Sequence, residues 1–462
     1  MRLLPLNLRP WLLLCFSAIA MPGSRAIAGD AVLASKEIVI SGAPRQQMAY
    51  GMDFERLWYW KNLKDKKKLM QLAFKECRVQ YVRVGISCGA ELQQGVRHEE
   101  AYEEDLDIMR RIVEARPDIE FFASPQPLKV ALKGKDVPWT CYPKWMHSFD
   151  KKGRIVDFKH EEAADYLIKY LRFMKKKGFR IKYMDVKNEV DRIAPQPVAR
   201  MIEKMRRELG DEMPVVLAPS SHNAKGGARW LEKAREAGLD FFDIASVHNT
   251  GDVLPDKHGY PVDAEKQMAK WGTPEVFASA AVKFGKKPLW NTELHLFWGP
   301  DEVAPLNSSY LWKYVRAGFS GMNQWLSLGN EKKTHKMFRT MSDGSLEVMR
   351  TYYIYKKLVN TSGGGRYHAS NVPRKLGSTV AFVKKDLLTV WVLNSQRDSA
   401  VSTILNLKAF ELKDGPVVVT SWEPGNRREG EQATVSSESI RNAKLTATVP
   451  ARSLHCYEIP LK

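Results

Sequence analysis

The sequence predicts a (β/α)8 barrel followed by a C-terminal antiparallel β-sandwich. Three observations predict it. Short apolar runs alternate with longer amphipathic stretches eight times between about 48 and 359. The runs are nearly all apolar rather than alternating, as strands covered on both faces should be. Beyond about 366 the helical period disappears, and short β-rich runs separated by turn residues take over. A doubly wound sheet would want a Gly-rich phosphate loop after a strand, and none is present.

The elements follow in order. MAYGMDF (48–54) precedes a helical stretch around 62–76, and VQYVRVGI (79–86) precedes EEDLDIMRRIVEA (103–115). IEFFASP (119–125) leads through a long loop to 163–178, where Tyr166, Leu167, Tyr170, Leu171 and Met174 form one apolar stripe. RIKYMDVKNE (180–189) precedes 197–209, and MPVVLAPSS (213–221) precedes 228–238. LDFFDIASVH (239–248) precedes 264–285, KPLWNTELH (287–295) precedes 308–318, and FSGMNQWLSL (319–328) precedes 347–359. The barrel is therefore expected over 45–361 and the sandwich over 366–462, with SGGGR (362–366) as a hinge. The strand-like segment at 36–42 precedes the barrel and is expected to pair with the sandwich.

Composition narrows the class. The chain has 462 residues, 44% of them apolar, with 13 Trp, which suits a globular protein with more than one unit. Residues 1–28 read as a cleaved signal peptide. Arg2 and Arg9 precede the apolar run WLLLCFSAIAM (11–21), and Ala26-Ile27-Ala28 offers small residues for cleavage after Ala28. No later apolar run is long enough to span a bilayer, so a secreted or periplasmic protein is expected. Cys77, Cys88, Cys141 and Cys456 permit up to two disulfides, and buried free thiols are the alternative. The formal charge of +19 comes from scattered lysine runs. It reads as solvated helix faces, or as a field favouring an acidic polysaccharide. Nucleic acid is not an expected partner, since no binding motif appears. No metal cluster, serine elbow or phosphate loop is found, so no cofactor and no metal are expected, and the chain is expected to act as a monomer.

The candidate chemistry lies in YMDVKNEVD and PLWNTELH. Each apolar run ends in a lone glutamate, Glu189 ending the fourth strand and Glu293 the seventh. A closed barrel sends the C-terminal ends of its strands into one mouth, so the two carboxyls should meet there. A facing pair of carboxyls is what glycosidic cleavage needs: one gives a proton to the leaving oxygen, the other attacks the anomeric carbon.

These residues carry a family resemblance. VKNEV resembles the Asn-Glu signature at strand four of clan A glycoside hydrolases, and LWNTELH resembles their strand-seven nucleophile segment. The barrel with its C-terminal sandwich is most similar to glycoside hydrolase family 30. YVRVGIS, FFASPQP, DIASVH and NQWL echo it at strands two, three, six and eight. The resemblance covers about 45 to 460 in architecture. It implies a secreted retaining β-glycoside hydrolase acting on a poly- or oligosaccharide, with Glu189 as acid/base and Glu293 as nucleophile. It further implies that Asn188 bonds the sugar 2-hydroxyl, that Arg83 holds Glu293 ionised, and that His248 lines the cleavage subsite. Trp325 would be a stacking floor, and Asp53 would bind a hydroxyl.

The chain also departs from the pattern. Asn249, Thr250 and Gly251 stand where the family has an aromatic, so Tyr260 is the candidate to contact the nucleophile. Gln126 stands where a tryptophan is expected after Ser124-Pro125. Trp139, Tyr142, Trp145 and His147, with His295 and Trp298, are candidates for unusual subsites. Two other readings stay open. One is a non-catalytic carbohydrate-binding protein on a glycosidase scaffold, against which the presence of both glutamates argues. The other is a clan hydrolase of different specificity.

Overall fold

A computed structural model of the chain describes residues 33–34, 37–55, 59–126, 141–151, 155–190, 193–249, 270–296, 299–333, 335–371, 378–435 and 440–462. Eight parallel strands close into a barrel: β1 (Ala49–Asp53), β2 (Tyr81–Ile86), β3 (Glu120–Pro125), β4 (Ile181–Asp185), β5 (Val215–Ser221), β6 (Ile244–His248), β7 (Leu289–Leu294) and β8 (Gly321–Gln324). Closure is direct, with Gly321 opposite Ala49 and Gln324 opposite Met52. The proposed leader, residues 1–28, lies outside the described residues. No described helix is long and apolar enough to cross a membrane.

Inside the barrel, Tyr81, Phe122, Leu217, Ile244 and Trp290 form a separate apolar layer. Tyr81 and Trp290 stack at 4.7 Å. Glycines on neighbouring strands make room for these rings. A Cβ on Gly51 would come within 2.2 Å of Tyr81, and one on Gly321 within 2.3 Å of Trp290. Large side chains on one strand thus require bare backbone on the next, which is how a small barrel fills its interior.

Helices cover the outside, each through one apolar stripe. Glu103–Ala115 buries Leu106, Ile108, Met109 and Ile112, and His160–Lys176 buries the predicted Tyr166, Leu167, Tyr170, Leu171 and Met174. The stretch predicted at 62–76 divides into an α-turn, Lys66–Met70, and a π-turn, Gln71–Glu76. Of the helix predicted at 264–285, Pro274–Ala281 is helical and runs into a 3-10 turn, Val282–Phe284.

The C-terminal strands form two sheets around a core that includes Val390, Leu405, Leu445 and Tyr457. The lead-in strand Ile38–Gln47 belongs to both. It pairs parallel with Val401–Asn406 and antiparallel with Arg366–Ser370. The outer face of the larger sheet packs on the barrel, where Trp312 lies 5.8 Å from Trp391 and Trp391 stacks on Trp422.

One expectation is corrected, and of the two alternatives for the cysteines the free thiols are found. The glycines at 363–365 are not a loose hinge. Gly364 N donates to Met48 O, Met48 N donates to Gly365 O, and a Cβ on Gly363 would come within 2.6 Å of the Val359 carbonyl. At Gly363 and Gly365 the backbones approach too closely for a side chain, and Gly364 holds a φ of 78°, which favours glycine. The four cysteines form no disulfide; all are free and buried, where they pack as small apolar groups.

Candidate active site

The site is built from the C-terminal ends of the barrel strands. Its base is Arg83 of β2, a fully buried cation. Its Nη1 donates to Asp53 Oδ2 (2.7 Å) and Glu293 Oε1 (2.5 Å), and lies 2.9 Å from Glu55 Oε2. Its Nη2 donates to Ser124 Oγ (2.8 Å), which donates to Asp185 Oδ2 (3.1 Å). One guanidinium therefore holds carboxylates from β1, from the residues just after it, and from β7. A buried charge needs such partners, because the cost of removing it from water is otherwise not recovered.

Glu293 lies within β7, with its amide donating to Asn291 Oδ1 (3.1 Å). Its two oxygens face different partners. Oε1 takes Arg83, whereas Oε2 lies 3.3 Å from His295 Nε2 and 3.5 Å from His248 Nδ1. Burial disfavours the charge on Glu293. Arg83 first, then His248 and His295, outweigh burial and hold the carboxyl well below the usual range.

Glu189 does not end a strand. β4 stops at Asp185, and Glu189 sits in the following turn at φ 57°, its amide donating to Ser220 O (3.0 Å). A non-glycine residue held in the left-handed region costs roughly 1–3 kcal/mol, and such residues cluster at functional sites. The turn aims the side chain at β6. His248 Nδ1 donates to Glu189 Oε1 (3.0 Å), and His222 Nε2 lies 3.5 Å from Glu189 Oε2. Burial and the charge of Glu293 push this carboxyl up. The hydrogen bond from His248 and the charges of His248 and His222 bring the balance below the ordinary value. His248 shows the converse. Burial disfavours its charge, but Glu293 and Glu189 raise its pKa above the ordinary value.

The remaining predicted residues are placed as follows. Asn188 is buried, its Nδ2 donating to Pro125 O (3.1 Å) and its Oδ1 without a partner among the described residues. Asp53 is only 1% exposed. Its Oδ2 is taken by Arg83 and its Oδ1 by the Glu55 amide, so it positions Arg83 rather than meeting a sugar hydroxyl. Trp325 is not a free stacking floor. Its ring stacks on His295 at 4.2 Å, and Lys336 Nζ lies 4.0 Å from it. Tyr142 and His147 are buried rather than lining a subsite. Tyr142 OH donates to Val186 O (2.7 Å), bracing the turn that carries Glu189. Burial pulls His147 down to about 4. Trp145 Nε1 donates to Glu91 O. Tyr260, Trp298 and Trp139 lie outside the described residues.

Asn249, the residue after His248, ties β6 to β7: its Oδ1 accepts from the His295 amide (2.9 Å) and from Asn291 Nδ2 (3.2 Å). Sequence reasoning missed Glu55, His222 and Lys336. Glu55 and His222 follow strand ends directly, a signal that was available. Lys336 reaches Trp325 from a distant turn, and nothing local announces it.

No family model and no curated protein matches the sequence. Solved structures do share its architecture. A family 30 endoxylanase from Clostridium papyrosolvens C71 matches with a TM-score of 0.65 at 17% identity, over 92% of this chain and 100% of that one. Family 30 xylanase C from Talaromyces cellulolyticus matches at 0.66 and 12% identity, over 92% and 100%. An endo-β-1,6-glucanase matches at 0.62 and 15%, over 94% and 96%. A family 39 enzyme from Xanthomonas axonopodis pv. citri also matches, at 0.54. The fold is that of clan A glycoside hydrolases and is most like family 30.

Proposed function

We propose that the protein is a retaining glycoside hydrolase that cleaves a poly- or oligosaccharide by double displacement, with Glu293 as nucleophile and Glu189 as acid/base. One observation carries this reading. The two carboxylates converge from β7 and the turn after β4, with facing oxygens within 4.8 Å of each other. A retaining pair stands about 5–5.5 Å apart, whereas an inverting pair needs roughly 6.5–9.5 Å to admit a water.

The roles follow from the surroundings. Arg83 keeps Glu293 ionised and so able to attack the anomeric carbon. Glu189 and His248 hold one proton between them across 3.0 Å. In the open site that proton rests on His248. Attack by Glu293 consumes the negative charge that is the main support for a protonated His248. The proton then moves through Glu189 to the leaving oxygen as the glycosidic bond breaks. Water next attacks the glycosyl ester, Glu189 accepts its proton, and Glu293 is released. Asn188 Oδ1, buried and without a partner among the described residues, suits a sugar hydroxyl as donor. The leader at 1–28 supports an exported enzyme, and the charge of +19 favours a glycan bearing acidic groups.

The test is a screen of the purified enzyme against neutral and acidic polysaccharides, repeated with two variants. Glu293→Ala should lower turnover by at least about 10⁴-fold with the fold intact. Glu189→Ala should lose about 10²–10⁴-fold, most on poor leaving groups, and azide should restore part of it. Unchanged activity in Glu293→Ala ends the proposal.

A further inference from the structure

We propose that the site binds a borderline divalent cation of the zinc type between Glu189, His248 and Glu293, and that this ion is a reversible inhibitor. Glu189, His248 and Glu293 each offer one donor atom, these atoms lie within 4.8 Å of one another, and the side chains are buried. His248 Nδ1 is 3.0 Å from Glu189 Oε1 and 3.5 Å from Glu293 Oε2. A tetrahedral zinc with bonds of about 2.0–2.2 Å spaces its ligands by about 3.3 Å. The two separations from His248 bracket that value, and the two carboxylate oxygens, within 4.8 Å of each other, would draw together onto the ion. Two further imidazoles stand by, His295 Nε2 at 3.3 Å from Glu293 Oε2 and His222 Nε2 at 3.5 Å from Glu189 Oε2. Mixed imidazole and carboxylate donors suit zinc better than calcium or magnesium, which prefer all-oxygen shells.

The second carboxylate cluster does not compete. Asp53, Glu55 and Glu293 also converge, but Arg83 Nη1 fills their centre at 2.7, 2.9 and 2.5 Å. It neutralises Oε1 of Glu293 and leaves Oε2 for the ion. On binding, zinc takes the place of the proton shared by His248 and Glu189, and that proton passes to water. Inhibition then follows, because both reacting carboxylates become ligands. The inhibition rests on the function proposed above; the binding does not.

The experiment titrates tag-free, EDTA-treated full-length protein with zinc chloride by calorimetry, beside folded Glu189→Gln and His248→Asn variants. The expected result is one zinc per chain, bound at least tenfold more weakly by each variant. Equal binding by all three proteins, or by none, overturns the site. Anomalous diffraction from a zinc-soaked wild-type crystal serves if a variant does not fold. A peak between the three donor atoms supports the site, and its absence there overturns it. Where a substrate is in hand, zinc should inhibit competitively and EDTA should restore turnover. Binding without inhibition would leave the metal site standing and count against the assigned roles of the two glutamates. Activation by zinc would overturn the inhibitory assignment.

Discussion

The most consequential single group is His248, fully buried, with Glu189 at 3.0 Å and Glu293 at 3.5 Å. On the proposed mechanism its raised pKa should set the alkaline limb of activity. A raised basic group keeps its proton to higher pH, so turnover should fall only as pH rises past the ordinary histidine range. Removing the ring, as in His248→Asn, leaves Glu189 exposed to burial and to the charge of Glu293, both of which raise it. The alkaline limb of kcat/KM should therefore move in this variant, and an unmoved limb would deny the shared proton. The acid limb should lie well below 4.5, since Arg83 and the two histidines outweigh burial at Glu293. At this scale the sequence was partly legible. Glu189, Glu293, Arg83 and His248 sit at or near strand ends, where polar residues interrupt apolar runs. The spent state of Asp53 and the covered face of Trp325 were not legible. They depend on side chains that reach in from Glu55, His295 and Lys336.

Among the elements, the barrel strands show how packing fixes the position of the chemistry. Trp290 of β7 lies three residues before Glu293, and Gly321 of β8 accommodates its indole. Gly321→Ala would place a methyl carbon 2.3 Å from that ring. Overpacking of this kind costs typically 1–3 kcal/mol, so the variant should unfold at lower denaturant with an unchanged m-value. A midpoint equal to that of the wild type would show that β7 and β8 separate without cost. All eight strands were readable because burial on both faces leaves nearly all of each run apolar. The division of 62–76 into α- and π-turns was not readable, because periodicity over so short a stretch does not distinguish them. Residues 186–189 read as a continuation of β4 because Val186 extends the apolar run, whereas they form a turn.

On the scale of the whole molecule, the sandwich and barrel share one interface. Trp312 of the helix Ser308–Arg316 packs on Trp391, Arg350 donates to the carbonyls of Glu423 and Asn426, and Arg428 pairs with Asp301 and Glu347. The chain enters through the sandwich strand Ile38–Gln47 before it makes β1, which ties the two units at both ends of the barrel sequence. They should unfold in one transition, and Trp312→Ala should lower its free energy by about 3–5 kcal/mol. Two separated transitions in the wild type would contradict that coupling. The closed ring of strands is what brings Glu189 and Glu293, distant in sequence, into one mouth. Double displacement requires that Glu293 become covalently attached to the sugar. The direct measurement is mass spectrometry of peptides after incubation with a panel of 2-deoxy-2-fluoroglycosyl fluorides. The expected result is a glycosyl ester on Glu293, absent from Glu293→Ala. An ester on a different residue, or a labelled Glu293→Ala, would contradict it.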